Sequence, residues 1–589
     1  MSDDLKHECA ISFLRLRQPL SYYRRKYGSS YFGFERLELL LEKQHNRGQD
    51  GAGIACVGLN TEPGTPYYHI EKSCAPRLPL ADLLEQVTAK ITKNASPEKQ
   101  ETSLANPFCG EVYLGHLRYG TFGRHSLEAC QPMVSNSIRR ANTLLLAGNF
   151  NMTNTTALFN ELVEAGYHPT SKQDSDILLI DLLHAVEQYS AVAHDISNID
   201  IPGILKSVVP RWDGGFAICG VFGSGNSFVL RDAHGIRPAF YYFDEEIIVV
   251  ASERAAIQTV LNLSSAEVCE LPPGNALIVS RDGNVRIERI LPEAEIRRCV
   301  FERIYFSRGN DTDIHRERRA LGCALVPDVL KAIDDDLDHT VFSYIPNTAI
   351  ISYHGMLERL MAIYPNQKIR FAQIAIKDAK FRTFIADSST RHDLFPHVYD
   401  VTYGVVHAAE DNLVVLDDSI VRGNTIRRAI LPILDRLQPK RIVIASASPP
   451  ILYPDCYGID MASFDQLIAF RALFSLLAKR NRMDALEKAT KEAKDDLKRP
   501  DKEMQNRVRQ LYDLFTFDEL VQEITLLLTP PDIQAEIKVV YQTCPHLRKA
   551  IPCHTGDWYF TGDYPTPGGN RVVNRALINY VEHITDRAY

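Results

Sequence analysis

The sequence predicts an α/β protein of two domains, and three observations carry the prediction. The first is the stretch 413–428, LVVLDDSIVRGNTIRR. An apolar run ends in two acids, a polar loop with one glycine follows, and a helical pattern begins; this reads as buried parallel strand, loop, helix. The second is a series of short apolar runs in the first half, GAGIACVGL, LGHLRYGTFG and LLLAGNFNMTN, each carrying polar residues on a glycine-marked turn. The third is length: 589 residues are enough for two or more cores.

Composition narrows the function classes. Apolar residues at 45% and charged residues at 24% describe an ordinary globular protein. A net charge of −8 leaves no electrostatic footprint for nucleic acid. No apolar run approaches the ~18 residues that span a bilayer. The start, MSDDLKHECAISF, lacks the basic residues and apolar core of an export signal. The expectation is therefore a cytoplasmic protein without membrane or nucleic-acid partners, its twelve cysteines reduced.

In chain order, Cys9 opens a β-like run, CAISFLRL, and Leu37, Leu40 and Leu41 mark a helix face that stops at QHNRGQDG (residues 44–51). The strand patterns named above follow, then DSDILLIDLL, WDGGFAICG, LRDAHGIRP, ASERAAI and ELPPG. Taken together in this order, these segments resemble the N-terminal-nucleophile glutaminase domain of class II amidotransferases, an αββα sandwich. The resemblance implies a propeptide at 1–8, a glutaminase domain at 9–296 and catalysis by Cys9 once its amine is freed. The chemistry is coherent, since a thiol needs a base. A free α-amine titrates near ~8 and Lys near ~10.4, so at neutral pH the amine is about two orders of magnitude richer in basic form. While residue 8 is attached, that nitrogen is an amide.

The same resemblance implies that Arg118 pairs with the glutamine α-carboxylate, a bidentate task suited to guanidinium. Asp174 takes the α-ammonium, Arg47, Gly48 and Thr121 line the pocket, and the Gly148 N–H serves the oxyanion. The chain departs from the family in three places. Where the family has His-Asn-Gly, this chain has Leu146-Ala147-Gly148-Asn149, so two alternatives stay open: Asn149, shifted by one residue, serves as the second oxyanion donor, or the oxyanion hole is weaker. The family's Cys-Gly-Val-Phe-Gly start is Cys9-Ala10-Ile11-Ser12-Phe13, and an Asn is inserted before Arg47.

In the second half, the two acids of the 413–428 stretch suit hydroxyls or a hard cation, and the loop amides suit an anion. The segment resembles the phosphoribosyl pyrophosphate (PRPP) motif of type I phosphoribosyltransferases. That resemblance implies PRPP binding by Asp417, Asp418, Ser419, Arg422, Gly423, Asn424 and Thr425. VFSYIPNTAIISYHGML (residues 341–357) resembles the pyrophosphate loop, with Thr348 as a hydroxyl for Mg²⁺ beside Asp417 and Asp418. KDAKFRTFI (residues 377–385) resembles the loop that closes over PRPP, with Lys377 and Arg382 facing the leaving group. The span 467–530 is helical and charged and reads as an insertion in a phosphoribosyltransferase domain at 297–589.

Glutaminase and phosphoribosyltransferase in one chain are similar to the glutamine PRPP amidotransferases. Membership implies conversion of glutamine, PRPP and water to 5-phosphoribosylamine, glutamate and pyrophosphate, the opening step of purine synthesis. It also implies Mg²⁺, homo-oligomers and feedback by purine nucleotides. Some members hold an iron–sulfur cluster on four Cys. Here one position is Cys456 and the others are Ala255, Gly556 and Tyr559, so no cluster is expected. Cys544, His546, Cys553 and His554 fit no strong zinc spacing. Two alternatives remain beside the main reading: another class II amidotransferase, and a non-catalytic paralogue that binds PRPP or nucleotides.

Overall fold

A computed structural model describes residues 9–94, 106–120, 126–192, 199–377, 399–459, 461–585 and 588. The chain divides into two compact units. Among the described residues, one comprises 9–298 with a return at 456–459, and the other comprises 299–455 and the residues from 461 onward.

Among its described residues the first unit holds thirteen strands: β1 (Ala10–Leu16), β2 (Gly51–Val57), β3 (Tyr68–Ser73), β4 (Val112–Arg118), β5 (Met133–Ser135), β6 (Leu144–Met152), β7 (Gly214–Phe222), β8 (Ser227–Arg231), β9 (Phe240–Phe243), β10 (Ile247–Ala251), β11 (Cys269–Glu270), β12 (Asn275–Val279) and β13 (Val285–Arg289). They form two antiparallel sheets, ordered β11-β9-β10-β1-β4-β2-β3 and β13-β12-β8-β7-β6-β5. Side chains alternate across a strand, and here both sides are buried. Ile11, Phe13, Val112 and Leu114 meet Leu145, Ala147, Ala217 and Cys219 between the sheets. Leu14, Leu16 and Ile54 pack outward under Leu37, Leu40 and Leu41 of the helix Phe32–Lys43. Leu144, Leu146 and Met152 pack outward under the helices Thr155–Glu164, Asp174–Val192 and Ile201–Val208. The unit is thus an αββα sandwich. Its central strands lack the polar–apolar alternation of a solvated sheet because neither face meets water.

The second unit is built on a parallel sheet. Its strands are β14 (Thr340–Tyr344), β15 (Arg370–Phe371), β18 (Asn412–Asp417), β19 (Arg441–Ser446) and β20 (Glu536–Tyr541), ordered β15-β14-β18-β19-β20. A separate antiparallel pair, β16 (Ala375–Lys377) and β17 (Tyr399–Val401), flanks the undescribed segment 378–398. Helices Thr312–Ala332 and Ile350–Ile363 cross closely enough that a Cβ on Gly322 would lie 1.7 Å from the Ser352 carbonyl oxygen. Between β19 and β20 the chain forms helices Ile468–Lys479, Met483–Asp496, Arg509–Tyr512 and Phe517–Leu528. The last opens on a capping box, with Thr516 accepting from the Glu519 N–H and Glu519 accepting from the Thr516 N–H. Among the described residues no helix is long and apolar enough to cross a membrane.

Candidate active sites

Cys9 stands one residue before β1, at the end of the sheet where β4 finishes and β2 begins. Ala10 pairs with Leu117, and Gly51 pairs with Arg118. The Tyr119 N–H donates to the Cys9 Sγ at 3.4 Å. Burial pushes the Cys9 thiol up to about 11, against the Tyr119 backbone and the Arg118 charge, which pull it down. Asp174 and Asp50 also act on this thiol and push it upward. The structure therefore brings together Cys9, Arg118 and Asp174, three residues far apart in sequence. Asp174 is the first residue of the helix Asp174–Val192, and one carboxylate oxygen accepts from the Ser175 N–H at 3.0 Å.

Asp50 was not assigned from the sequence. Its carboxylate accepts from the Gly120 N–H at 3.0 Å, and its own N–H donates to the Arg118 carbonyl at 3.0 Å. At position 120 an added Cβ would lie 3.2 Å from the Arg118 guanidinium and 3.4 Å from the Asp50 carboxylate, so a larger residue fits only if the Arg118 side chain shifts slightly. Gly48 is held much more tightly, since an added Cβ would lie 2.4 Å from the Leu117 backbone. Arg47 is buried and its Nε donates to Glu253 at 2.9 Å, with both side chains sealed from water. That pair fixes the turn after the helix Phe32–Lys43. Glu253→Gln removes the negative charge from this buried pair, and about 3 kcal/mol of stability should be lost on urea unfolding. Thr121 lies outside the described residues.

The oxyanion strand adds a contact at Gly148. The Gly148 N–H is already engaged, donating to Oε1 of Gln131 at 2.7 Å, and the Gly148 carbonyl meets Nε2 of His116 at 3.1 Å. A reacting oxygen would have to displace the Gln131 amide. The physical reason lies in the sheet edge. Amides of alternate residues point the same way, and β5 pairs with β6 only from Leu144 to Leu146. Gly148 is the next amide on that side, and Gln131 takes it. Asn149 is buried and, by alternation, shares the inter-sheet face with Ala147 and so faces the sheet that begins at Cys9. The ring of Phe150 covers Gly148 on the other face, where an added Cβ would come within 2.4 Å of it.

In the second unit, β18 ends at Asp417 in the middle of the parallel sheet. Chains of α/β sheets place ligand loops at this carboxyl edge. The Asp418 N–H donates to the Asp417 carboxylate at 2.9 Å, and the Ser419 hydroxyl donates to Asp418 at 3.1 Å. Gly423 adopts a φ of +74°, the left-handed region that glycine tolerates. An added Cβ there would meet Leu528 at 2.5 Å and Ile468 at 2.7 Å. The Ile468 N–H donates to the Val421 carbonyl at 2.9 Å, and Arg427 donates to the Leu527 carbonyl at 3.0 Å. Helices of the insertion thus back the loop, a contact with no signal in the sequence. Arg422 donates to Gln466 at 2.7 Å. Asn424 is exposed, and Thr425 is buried at the entry to the helical turn that starts at Ile426. Thr348 is half-buried in the loop after β14, the strand beside β18. Lys377 ends β16, and Arg382 lies outside the described residues.

Two adjacent carboxylates and nearby hydroxyls are hard oxygen donors. They fit Mg²⁺, which is commonly held by one or two carboxylates and the substrate's phosphates. Among the described residues no three or more His, Cys, Asp or Glu converge into an all-protein metal cage.

Comparison with known proteins adds an independent line. Residues 122–259 match the family described as a glutamine amidotransferase domain. The amidophosphoribosyltransferase of Methanocaldococcus jannaschii is 28% identical over 461 residues, 74% of this chain and 87% of that one. That of Bacillus subtilis is 26% identical over 445 residues, 75% and 80% of the two chains. The chain is similar to the amidophosphoribosyltransferases over most of its length, and the similarity reaches both halves. The structure of the B. subtilis glutamine PRPP amidotransferase complexed with ADP and GMP superposes with a TM-score of 0.63 at 22% identity. The match covers 95% of this chain and 97% of that one. A second structure, of the allosteric regulatory enzyme of purine biosynthesis, gives 0.65 at 22% identity and covers 95% and 96%. Both structures match an αββα unit and a parallel-sheet unit in one chain.

Proposed function

We propose that the chain is a glutamine-dependent amidophosphoribosyltransferase that forms 5-phosphoribosylamine, glutamate and pyrophosphate from glutamine, PRPP and water. The observation that carries the reading is that Cys9 lies beside the end of β4, where the Tyr119 N–H meets its Sγ, with the Arg118 and Asp174 charges both acting on the thiol. A cation and an anion beside a nucleophile match the two charges of an α-amino acid.

In the first half-reaction the Cys9 Sγ attacks the glutamine Cδ. The thiol proton passes to the freed α-amine of Cys9 and then to the leaving nitrogen, which departs as ammonia when the C–N bond breaks. Water hydrolyses the thioester to glutamate and restores the thiol. A thiol held near 11 by burial stays protonated at neutral pH, so the attack needs a base at the nitrogen of Cys9. For the oxyanion we assign the side-chain amide of Asn149 and the N–H of Phe150, the next amide beyond Gly148 on the same edge of β6. Asn149→Ala should lower kcat for glutamate release by ~10²–10³ and leave the KM for glutamine nearly unchanged. A rate within threefold of the parent would exclude Asn149 from this role.

In the second half-reaction the ammonia nitrogen attacks C1 of PRPP, the C1–O bond breaks and pyrophosphate leaves with the electron pair. Asp417 and Asp418 hold the ribose hydroxyls, the 419–425 loop holds the 5-phosphate, and Lys377 and Arg382 close on the pyrophosphate. Asp417, Asp418 and Thr348 would hold Mg²⁺ together with the substrate phosphates, and the ion would supply charge neutralisation. Purine nucleotides are the expected feedback ligands, and a homo-oligomer is the expected assembly.

The deciding experiment measures pyrophosphate release from PRPP and Mg²⁺ with glutamine and, separately, with ammonia. Release with both establishes the coupled enzyme. Release with ammonia alone leaves a transferase beside an idle glutaminase. The engaged Gly148 N–H favours one other reading, a non-catalytic paralogue that binds PRPP, and release with neither nitrogen source would establish it.

A further inference from the structure

We propose that Gln131 and His116 are positioning residues of the glutamine site: they hold the two sides of Gly148 and so set the tilt of the strand segment that presents Asn149 and the Phe150 N–H. The proposal rests on the glutaminase reading of Cys9. Three observations carry it.

The first is that both polar groups of one peptide residue are taken by side chains rather than by a neighbouring strand on that edge. Gln131 accepts from the Gly148 N–H at 2.7 Å, and His116 meets the Gly148 carbonyl at 3.1 Å. A buried amide left unpaired costs ~1–3 kcal/mol, so the segment has one well-defined resting place.

The second is that the clamp itself is braced. The Gln131 carbonyl lies directly over Gly53 of β2, where an added Cβ would come within 2.0 Å of it, and Cys130 lies over Gly51, at 2.6 Å by the same measure. Two glycines in one strand make room for the segment that carries Gln131.

The third is the imidazole. A carbonyl can only accept, so Nε2 of His116 carries the proton. Nδ1 is buried without a hydrogen-bond partner among the described residues, and the ring is neutral in a single tautomer. His116 is two residues before Arg118 on the same face of β4. The clamp therefore ties the oxyanion strand to the strand whose end touches Cys9. Displacing reacting groups by about 1 Å can cost ~10² in rate, which is why a clamp on one residue matters here.

The test compares paired variants in the full-length protein. Gln131→Leu removes the acceptor and Gln131→Glu keeps an oxygen there. His116→Leu removes the donor and His116→Gln puts an N–H near the Nε2 position. We expect the two leucine variants to lose about tenfold or more in kcat for glutamate release, by the same positional argument, with KM for glutamine nearly unchanged. The conservative variants should recover most of that loss. Ammonia-dependent pyrophosphate release should stay constant in all four and report intact folding. A rise in KM at constant kcat, or equal losses in the leucine and conservative variants, would overturn the clamp. If the parent protein releases no glutamate even after residues 1–8 are removed, the glutaminase reading fails, and hydrogen exchange over 146–150 decides the clamp separately. Faster exchange in Gln131→Leu than in Gln131→Glu supports it, and equal exchange overturns it.

Discussion

Cys9→Ala should lower glutamine-dependent pyrophosphate release by at least ~10⁴-fold and leave the ammonia-dependent reaction at its parent rate. A thiol is an intrinsically strong nucleophile and nothing else at the site can replace its covalent step. The second half of the prediction is the informative one. Ammonia from solution needs only the PRPP site, so a loss with both nitrogen sources would mean that Cys9 matters for folding rather than for chemistry. The same logic covers residues 1–8. In the chain as synthesised, the nitrogen of Cys9 is an amide joined to Glu8. With the thiol near 11, only about one molecule in a thousand carries a thiolate at pH 8. Precursor and Cys9→Ala should therefore behave alike, inactive with glutamine and active with ammonia, and alkylation of Cys9 should be slow until the amine is free. A precursor that released glutamate at the mature rate would show that another group serves as base.

How much of this was legible in the sequence follows from where each signal is stored. The 413–428 strand, loop and helix could be read because chain order alone carries them: β18 ends at Asp417, and the helical turn begins at Ile426. The αββα sandwich was accessible only through resemblance. Buried on both faces, β1 and β4 read as uniform apolar runs with no period to mark which side chains face the second sheet. The same blindness hid His116, which looks like a stray polar residue in GHLRYG until β6 is laid opposite it. Gln131 and Asp50 were missed because their work is done on backbone amides 17 and 70 residues away. The engagement of the Gly148 N–H by Gln131 was hidden for a related reason. A motif records which residue is glycine and does not record which amides the sheet edge has already used. The insertion helices were visible as a helical pattern, but their contact with Gly423 depends on Ile468 and Leu528 arriving from 45 and 105 residues downstream.

Asp417→Asn and Asp418→Asn should each lower pyrophosphate release about 10- to 100-fold, equally with glutamine and with ammonia, and the double variant should lose roughly 10³-fold. The magnitude comes from the bonds at stake. A hydrogen bond to a charged group contributes ~1.5–3 kcal/mol, and 1.4 kcal/mol is a factor of ten. An amide keeps one acceptor oxygen but neither the charge nor the second oxygen. Position sharpens the expectation. Asp418 donates its N–H to the Asp417 carboxylate, and Ser419 donates its hydroxyl to Asp418, so the acids and the loop form one hydrogen-bonded turn. Loss of either acid should raise the KM for PRPP and the Mg²⁺ concentration needed for half-maximal rate together, because both bind at the same carboxylates. Glutamate release measured without PRPP should be unchanged, since it belongs to the other unit. The control within the loop is Arg422, whose side chain turns to Gln466. Arg422→Lys should be milder than either acid variant if the loop amides do most of the phosphate binding. An Arg422→Lys loss equal to that of the double acid variant would shift the anion site from the loop backbone to the guanidinium.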